Sequence, residues 1–224
     1  MFFIRGVHPA KAVNATTSGI VAQPLTFWHL LSHSFVLQLL LLLIVSVSIG
    51  TGAMFEVALP ALLHNQLHTS ASGYGVIMAA FSIGTVAGSL AAGGLGKVPY
   101  RLALSLVCFL IEAALVILLP FMGSVSIGVV IMLGMGLLNG LVVVTVMSVI
   151  QGQLPMHLIG RVMSLISFAI YGPYPISVAL AGVIVPRYGS TPVFLAVGLL
   201  IGVPALVGCL QRSFWQRGGV KLIR

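Results

Sequence analysis

Six apolar runs, each long enough to cross a lipid bilayer, bound what this chain can fold into: about 36–62, 73–95, 102–119, 125–150, 160–185 and 192–210. An α-helix needs about 20 apolar residues to traverse a hydrocarbon core of about 30 Å, with a working range of roughly 17–25. Inside lipid every backbone N–H and C=O must be satisfied within the protein, which leaves helices or closed barrels. Barrel strands are segments of about 10 residues with alternating polarity, and these runs are longer and apolar throughout. The sequence therefore predicts an all-α membrane protein with six transmembrane helices. Only 5% of the residues are charged and 59% are hydrophobic, against about 25% charged in soluble domains. A water-covered surface cannot be built from that material.

The runs divide the chain into a cytoplasmic N-terminal segment, 1–35, a six-helix domain, 36–210, and a basic tail, 211–224. Residues 26–31 read as an interfacial helix with Trp28 at headgroup level. The N-terminus has no apolar core that would make it a cleaved signal, so the first span is expected to direct insertion. Short cytoplasmic loops accumulate Lys and Arg. With the N-terminus inside, nine of the ten basic residues are cytoplasmic and Arg187 alone lies outside. Both termini are then cytoplasmic in a multi-pass protein of the plasma (inner) membrane. The same topology places the Asn14-Ala15-Thr16 sequon inside, where it would not be glycosylated. The net charge of +8 reads as this topology signal rather than as a nucleic-acid surface, because the cations sit between apolar runs without interleaved aromatics. Cys108 and Cys209 lie within spans and read as small buried thiols.

The only two acidic side chains, Glu56 and Glu112, fall inside spans. A charged group at a helix centre costs about 2.5–3.5 kcal/mol on insertion scales, so an intramembrane carboxylate reads first as functional. Glu56 shares a helical face with Gly52 and Gln38, flanked by Ser48, giving the first span a polar stripe. It either handles a proton or cation on a water-lined face or reaches outward to the interface. Glu112, near the middle of the third span, either functions or bonds a neighbouring helix. Asn139 and Thr145 on the fourth span face a cavity or bond across a helix contact. Small residues let helices approach closely in lipid, and Gly84, Gly88 and Ala92 form one such row, Gly136 and Gly140 another. Gly172-Pro173-Tyr174-Pro175 must break the fifth span, since each proline removes a backbone donor. Freed carbonyls together with Tyr171 and Tyr174 suit a substrate site or hinge, and equally a structural bend. His64 and His68 are four apart, as are His29 and His33, the spacing of two ligands on one helical face. Neither pair has a third ligand, and no metal or other cofactor is expected. No P-loop or nucleophile elbow is present, and a chain with almost no acids or bases is not expected to be an enzyme.

The second and fifth spans are similar at an offset of about 85–89 residues. Gly75-Val76-Ile77-Met78, Gly84, Gly93 and Lys97-Val98-Pro99-Tyr100 correspond to Gly160-Arg161-Val162-Met163, Gly172, Gly182 and Val185-Pro186-Arg187-Tyr188. Three spans separate the copies, so they would run in opposite directions, as in an inverted repeat. Chance likeness between two glycine-rich apolar helices gives the same pattern.

Gln151, Pro155, Gly160-Arg161-Val162-Met163-Ser164, the broken span after them and Ala181-Gly182 resemble the loop and eleventh helix of major facilitator superfamily transporters. Leu59-Pro60, Gly73-Tyr74-Gly75 and the pair Gly84 and Gly88 resemble that family's seventh and eighth helices. The similarity is to the bacterial efflux branch of enterobactin-exporter-like and macrolide-efflux-like permeases, and to the C-terminal six-helix half only, over about 36–210. It implies two inverted three-helix repeats. The first and fourth spans would line a cavity, the second and fifth would face the other half, and the third and sixth would be peripheral. That placement favours Glu56, Asn139 and Thr145 over Glu112 as site residues. The cytoplasmic loops with Lys97, Arg101, Gly160 and Arg161 would correspond to gating motifs, although no acidic partner accompanies them. The implied function is export of a small lipophilic compound by proton-coupled alternating access. Its partners would be the lipid bilayer, the small-molecule substrate and a second six-helix half, from a homodimer or a separate N-terminal chain. The alternative is a truncated or non-transporting helix bundle that acts only with a partner chain.

Overall fold

The computed structural model describes residues 35–94, 101–153 and 156–211. The proposed interfacial helix, Lys97, His29, His33 and the basic tail lie outside the described residues. Among those described, every regular element is helical, and six helices are long and apolar enough to cross a membrane: Gln38–Asn65, Ala71–Gly94, Leu102–Phe121, Val125–Gly152, Ile159–Tyr188 and Thr191–Leu210. These differ from the sequence boundaries by a few residues at most, because hydropathy sets where a helix can end against water.

Two spans are interrupted, each at proline. In the first, the α-helix Phe35–Ala53 gives way to a π-helical turn, Met54–Ala58, before the helix resumes over Leu59–Asn65. Pro60 has no N–H to offer the Glu56 carbonyl four residues earlier. The helix widens by one residue, and the Leu59 N–H bonds instead to the Met54 carbonyl. In the fifth, the helix Met156–Tyr171 stops and a new one, Tyr174–Tyr188, begins with Pro173 as its N-cap residue. Pro175 then occupies the first turn, where a missing N–H costs nothing. The expected break is present, and it lies midway along the span.

The His64 and His68 spacing is not realised on a helix. The first span ends at Asn65, and His68 sits in the following link with a φ of 46°. Helix termination after Asn65 removes the shared face that the four-residue interval would otherwise create.

The second span packs chiefly on the fourth, the third on the sixth and fourth, and the first on the sixth and fifth. The second–fourth contact is the most extensive, and its cause is visible in the glycine rows. A Cβ at Gly84 or Gly88 would strike the backbone at Leu133 and Leu137, and one at Gly136 or Gly140 would strike it at Phe81, Thr85 and Ser89. The two rows named from sequence are therefore opposite sides of one contact, backbone against backbone. Such contacts replace the hydrophobic effect, which cannot separate helix from lipid.

The fully buried side chains, among them Leu40, Leu43, Leu62, Leu106, Met132, Met135 and Phe194, come mainly from the first, third, fourth and sixth spans. Cys108 is buried and Cys209 half-buried. The second and fifth spans bury the least of themselves, 22% and 17% of their central windows against 56% for the third. Their outward faces, with Ile83, Val86, Leu90, Phe168, Ile176 and Leu180, are apolar and more than half exposed.

Candidate functional site

The first, fourth and broken fifth spans enclose a cavity of about 520 Å³. Its wall is mostly aliphatic, with Leu40, Ile44, Val142, Val143 and Val146, and Phe109 closes it from the third span. Tyr171 and Tyr174 enter from the break in the fifth span, and Ser48, Thr51 and Asn139 supply the remaining polar groups. Mostly apolar walls with a few placed polar atoms, in a volume between about 300 and 1,000 Å³, characterise small-molecule sites.

Local folding puts these groups there. Ser48 donates a hydrogen bond to the Ile170 carbonyl, in the last turn before the break. Thr51 donates to the Val47 carbonyl of its own helix at 2.7 Å. Four residues on from Ser48, Gly52 lets the restarted fifth helix sit close: an added Cβ would lie 3.1 Å from the Tyr174 carbonyl oxygen and 3.3 Å from the Tyr174 ring. Four further on, Glu56 accepts a hydrogen bond from the Tyr174 hydroxyl at 2.7 Å. The polar stripe of the first span is thus its seam with the fifth, running Ser48, Gly52, Glu56.

A second, smaller chamber of about 170 Å³ lies against the first. Val47, Thr51 and Asn139 line both, so these three form the partition. Gly50, Met54, Phe81, Met135 and Ile201 line the rest, together with Glu112. Glu112 is 4% exposed. The Asn139 side chain is near enough to act on its carboxyl group, and the Oε2 atom is buried without a partner.

The residues singled out from sequence are therefore dispersed over distinct roles. Asn139 borders both cavities, and Tyr174 joins the larger cavity to the hinge. Glu56 is exposed and lines neither cavity, its position being set by the π-turn and Tyr174. Gln38 and Thr145 line neither cavity; Thr145 is buried and Gln38 exposed near the start of the first span. Gly160 and Arg161 are exposed within a helix rather than in a loop, and Arg101 begins the helix Arg101–Leu118. Gly172 and Pro173 form the break and Pro175 the turn after it.

Three features escaped the sequence reading. Phe109 and Thr51 look like ordinary core residues until the spans are paired, and no local signal distinguishes them. The π-turn did have a signal, Pro60 inside the first span, which permits no normal hydrogen bond to Glu56. Tyr74, whose hydroxyl donates to the Phe55 carbonyl at 3.2 Å, gives that turn a partner from the second span; Phe55 and Phe81 add an edge-to-face ring contact at 5.0 Å.

No family model matches the chain, and neither a curated protein nor a solved structure matches it.

Proposed function

We propose that this chain is a membrane carrier, of the six-helix type that forms half of a major-facilitator-like efflux permease, and that it moves a small lipophilic compound across the plasma membrane. The observation that carries this reading is the cavity of about 520 Å³. It lies toward the start of the first span and the end of the fourth, walled by these two helices and flanked by the broken fifth, the arrangement of helices that the sequence resemblance implied. Aliphatic walls repay apolar substrate area at about 25 cal/mol per Å², while Asn139 and the two tyrosines orient it.

The packing pattern supports the same reading. Exchanging the first three spans for the last three turns the second–fourth contact into the fifth–first and the third–fourth into the sixth–first, while the third–sixth maps onto itself; all of these contacts are present. Two three-helix units related by inversion pack in this way. The second and fifth spans, which bury least, are the surfaces to which a second half would dock. In this reading both termini face the cytoplasm, the carrier performs no catalysis, and a proton gradient drives export.

Reconstitution into phosphatidylcholine liposomes tests the proposal. With a lipophilic fluorescent cation as probe, an imposed pH gradient drives its accumulation or release by the purified chain, and cross-linking captures a dimer. A chain that stays monomeric and moves no probe under any gradient refutes the autonomous carrier and leaves the bundle that acts only with a partner chain.

A further inference from the structure

The chamber behind the cavity contains the one acidic side chain that the described structure buries, and it is the less expected of the two. We propose that Glu112 is an exchangeable proton site, and that Asn139 links its charge state to the adjoining cavity. This deepens the carrier reading by naming its coupling group, and it moves that role from Glu56 to Glu112.

Three observations carry it. First, Glu112 Oε2 is buried with no hydrogen-bond partner, and the residue lines an open space of about 170 Å³. A carboxyl that served only to bond a neighbouring helix would be packed against its partners on both oxygens, since an unpaired buried oxygen costs about 1–3 kcal/mol. Here Oε2 has no partner, while the residue lines room for a few waters at about 30 Å³ each. Second, Asn139 lines both spaces and shares the smaller one with Glu112, close enough to act on its carboxyl group. When the Glu112 carboxylate takes a proton from hydronium in the chamber, the hydronium O–H bond breaks to leave water, a carboxyl O–H bond forms and the carboxylate charge is neutralised. The Asn139 amide, no longer held by an anion, is then free to turn toward a ligand in the larger cavity. The reverse step returns the proton to water and the amide to Glu112.

Third, nothing charged competes for the site among the described residues. The first span presents Val47 and Thr51 to the chamber, the fourth Met135 and Asn139, and the sixth Val197 and Ile201. Cys108, one turn earlier on the same helix, is the titratable neighbour. Glu56, by contrast, is exposed, sits outside both spaces and has its oxygen engaged by Tyr174.

The composition makes the test clean, because Glu56 and Glu112 are the only acidic side chains of the chain. Infrared difference spectra of the full chain in phosphatidylcholine liposomes are recorded between about pH 5 and about pH 9, a window spanning ordinary and strongly perturbed carboxyls. The expected result is a protonated-carboxyl band that grows on acidification. Glu112→Gln removes it, Asn139→Leu displaces its frequency by removing the neighbouring amide, and Glu56→Gln leaves it in place. A wild-type spectrum with no pH-dependent carboxyl band overturns the proposal, as does a band that survives Glu112→Gln and is lost in Glu56→Gln. Should Glu112→Gln not insert, a band unaffected by Asn139→Leu overturns it equally. The spectra measure no transport, so the two readings fail separately: a band without probe movement leaves the site standing, and gradient-driven movement without the band removes it.

Discussion

Consider replacing Gly88 by alanine. The added Cβ would lie 2.8 Å from the carbonyl carbon of Leu137 and 3.0 Å from its Cα, and closer still to the carbonyl oxygen. These are backbone atoms, so no rotamer change relieves the collision. Restoring ordinary contact at about 3.5–4.0 Å requires the second and fourth spans to part by on the order of 1 Å. That separation loosens the neighbouring contacts of Gly84, Gly136 and Gly140 together, and overpacking of this kind costs about 1–3 kcal/mol. Gly93, five residues nearer the end of the same helix, meets nothing within 4 Å. Gly93→Ala adds the same atom to the same helix and, by intrinsic propensity alone, is neutral or stabilising by up to about 1 kcal/mol. Denaturation of the two variants in matched detergent micelles, followed by circular dichroism, compares them directly. Gly88→Ala is expected to unfold earlier by the free-energy difference of about 1–3 kcal/mol, and a Gly88→Ala, Gly136→Ala pair is expected to be non-additive because both act on one separation. Equal midpoints for Gly88→Ala and Gly93→Ala would refute the close backbone approach.

Three further outcomes follow from the site. Val143→Trp places a large ring in the cavity wall and is expected to weaken binding of a lipophilic fluorescent probe by about tenfold or more, equivalent to about 1.4 kcal/mol, with little change in the denaturation midpoint; unchanged affinity would place the binding site elsewhere. Tyr174→Phe removes the hydrogen bond to Glu56 and is expected to speed amide exchange over residues 174–177, which mass spectrometry reads; identical exchange would show that the bond does not hold the restarted helix. Pro60→Ala restores an N–H for the Glu56 carbonyl and so favours an ordinary α-turn at 54–58. Its effect on stability is expected to couple with that of Tyr174→Phe in a double-mutant cycle, and strict additivity would mean that the π-turn does not aim Glu56 at Tyr174.

The span ends were legible from hydropathy because a membrane helix is delimited by where its side chains meet water. The break at Gly172-Pro173 was legible because proline acts locally. What the sequence concealed was pairing. Gly84 and Gly88 were readable as one packing row and Gly136 and Gly140 as another, but nothing in a linear pattern says that they pack on each other. The same limit hid the cavity, whose walls come from residues as far apart as Leu40 and Tyr174. The helical wheel also assumed a continuous α-helix through Glu56, and the extra residue of the π-turn at 54–58 changes which way everything beyond it points. Glu112 carried no neighbouring polar residue to mark it; its partner Asn139 lies on another span.

The contact between the second and fourth spans and that between the first and fifth occupy equivalent places in the bundle, yet they are made of different materials. One is glycine on bare backbone, packed too closely to admit a Cβ. The other is stitched by Ser48 to Ile170 and Tyr174 to Glu56 across a helix already divided at Pro173. Hydrogen bonds can be handed to water or to a ligand hydroxyl and taken back, whereas a lost van der Waals contact has no substitute. Compliance is therefore concentrated along one side of the molecule: the second and fourth spans form a stiff plate, and deformation of the cavity is borne by the first and fifth.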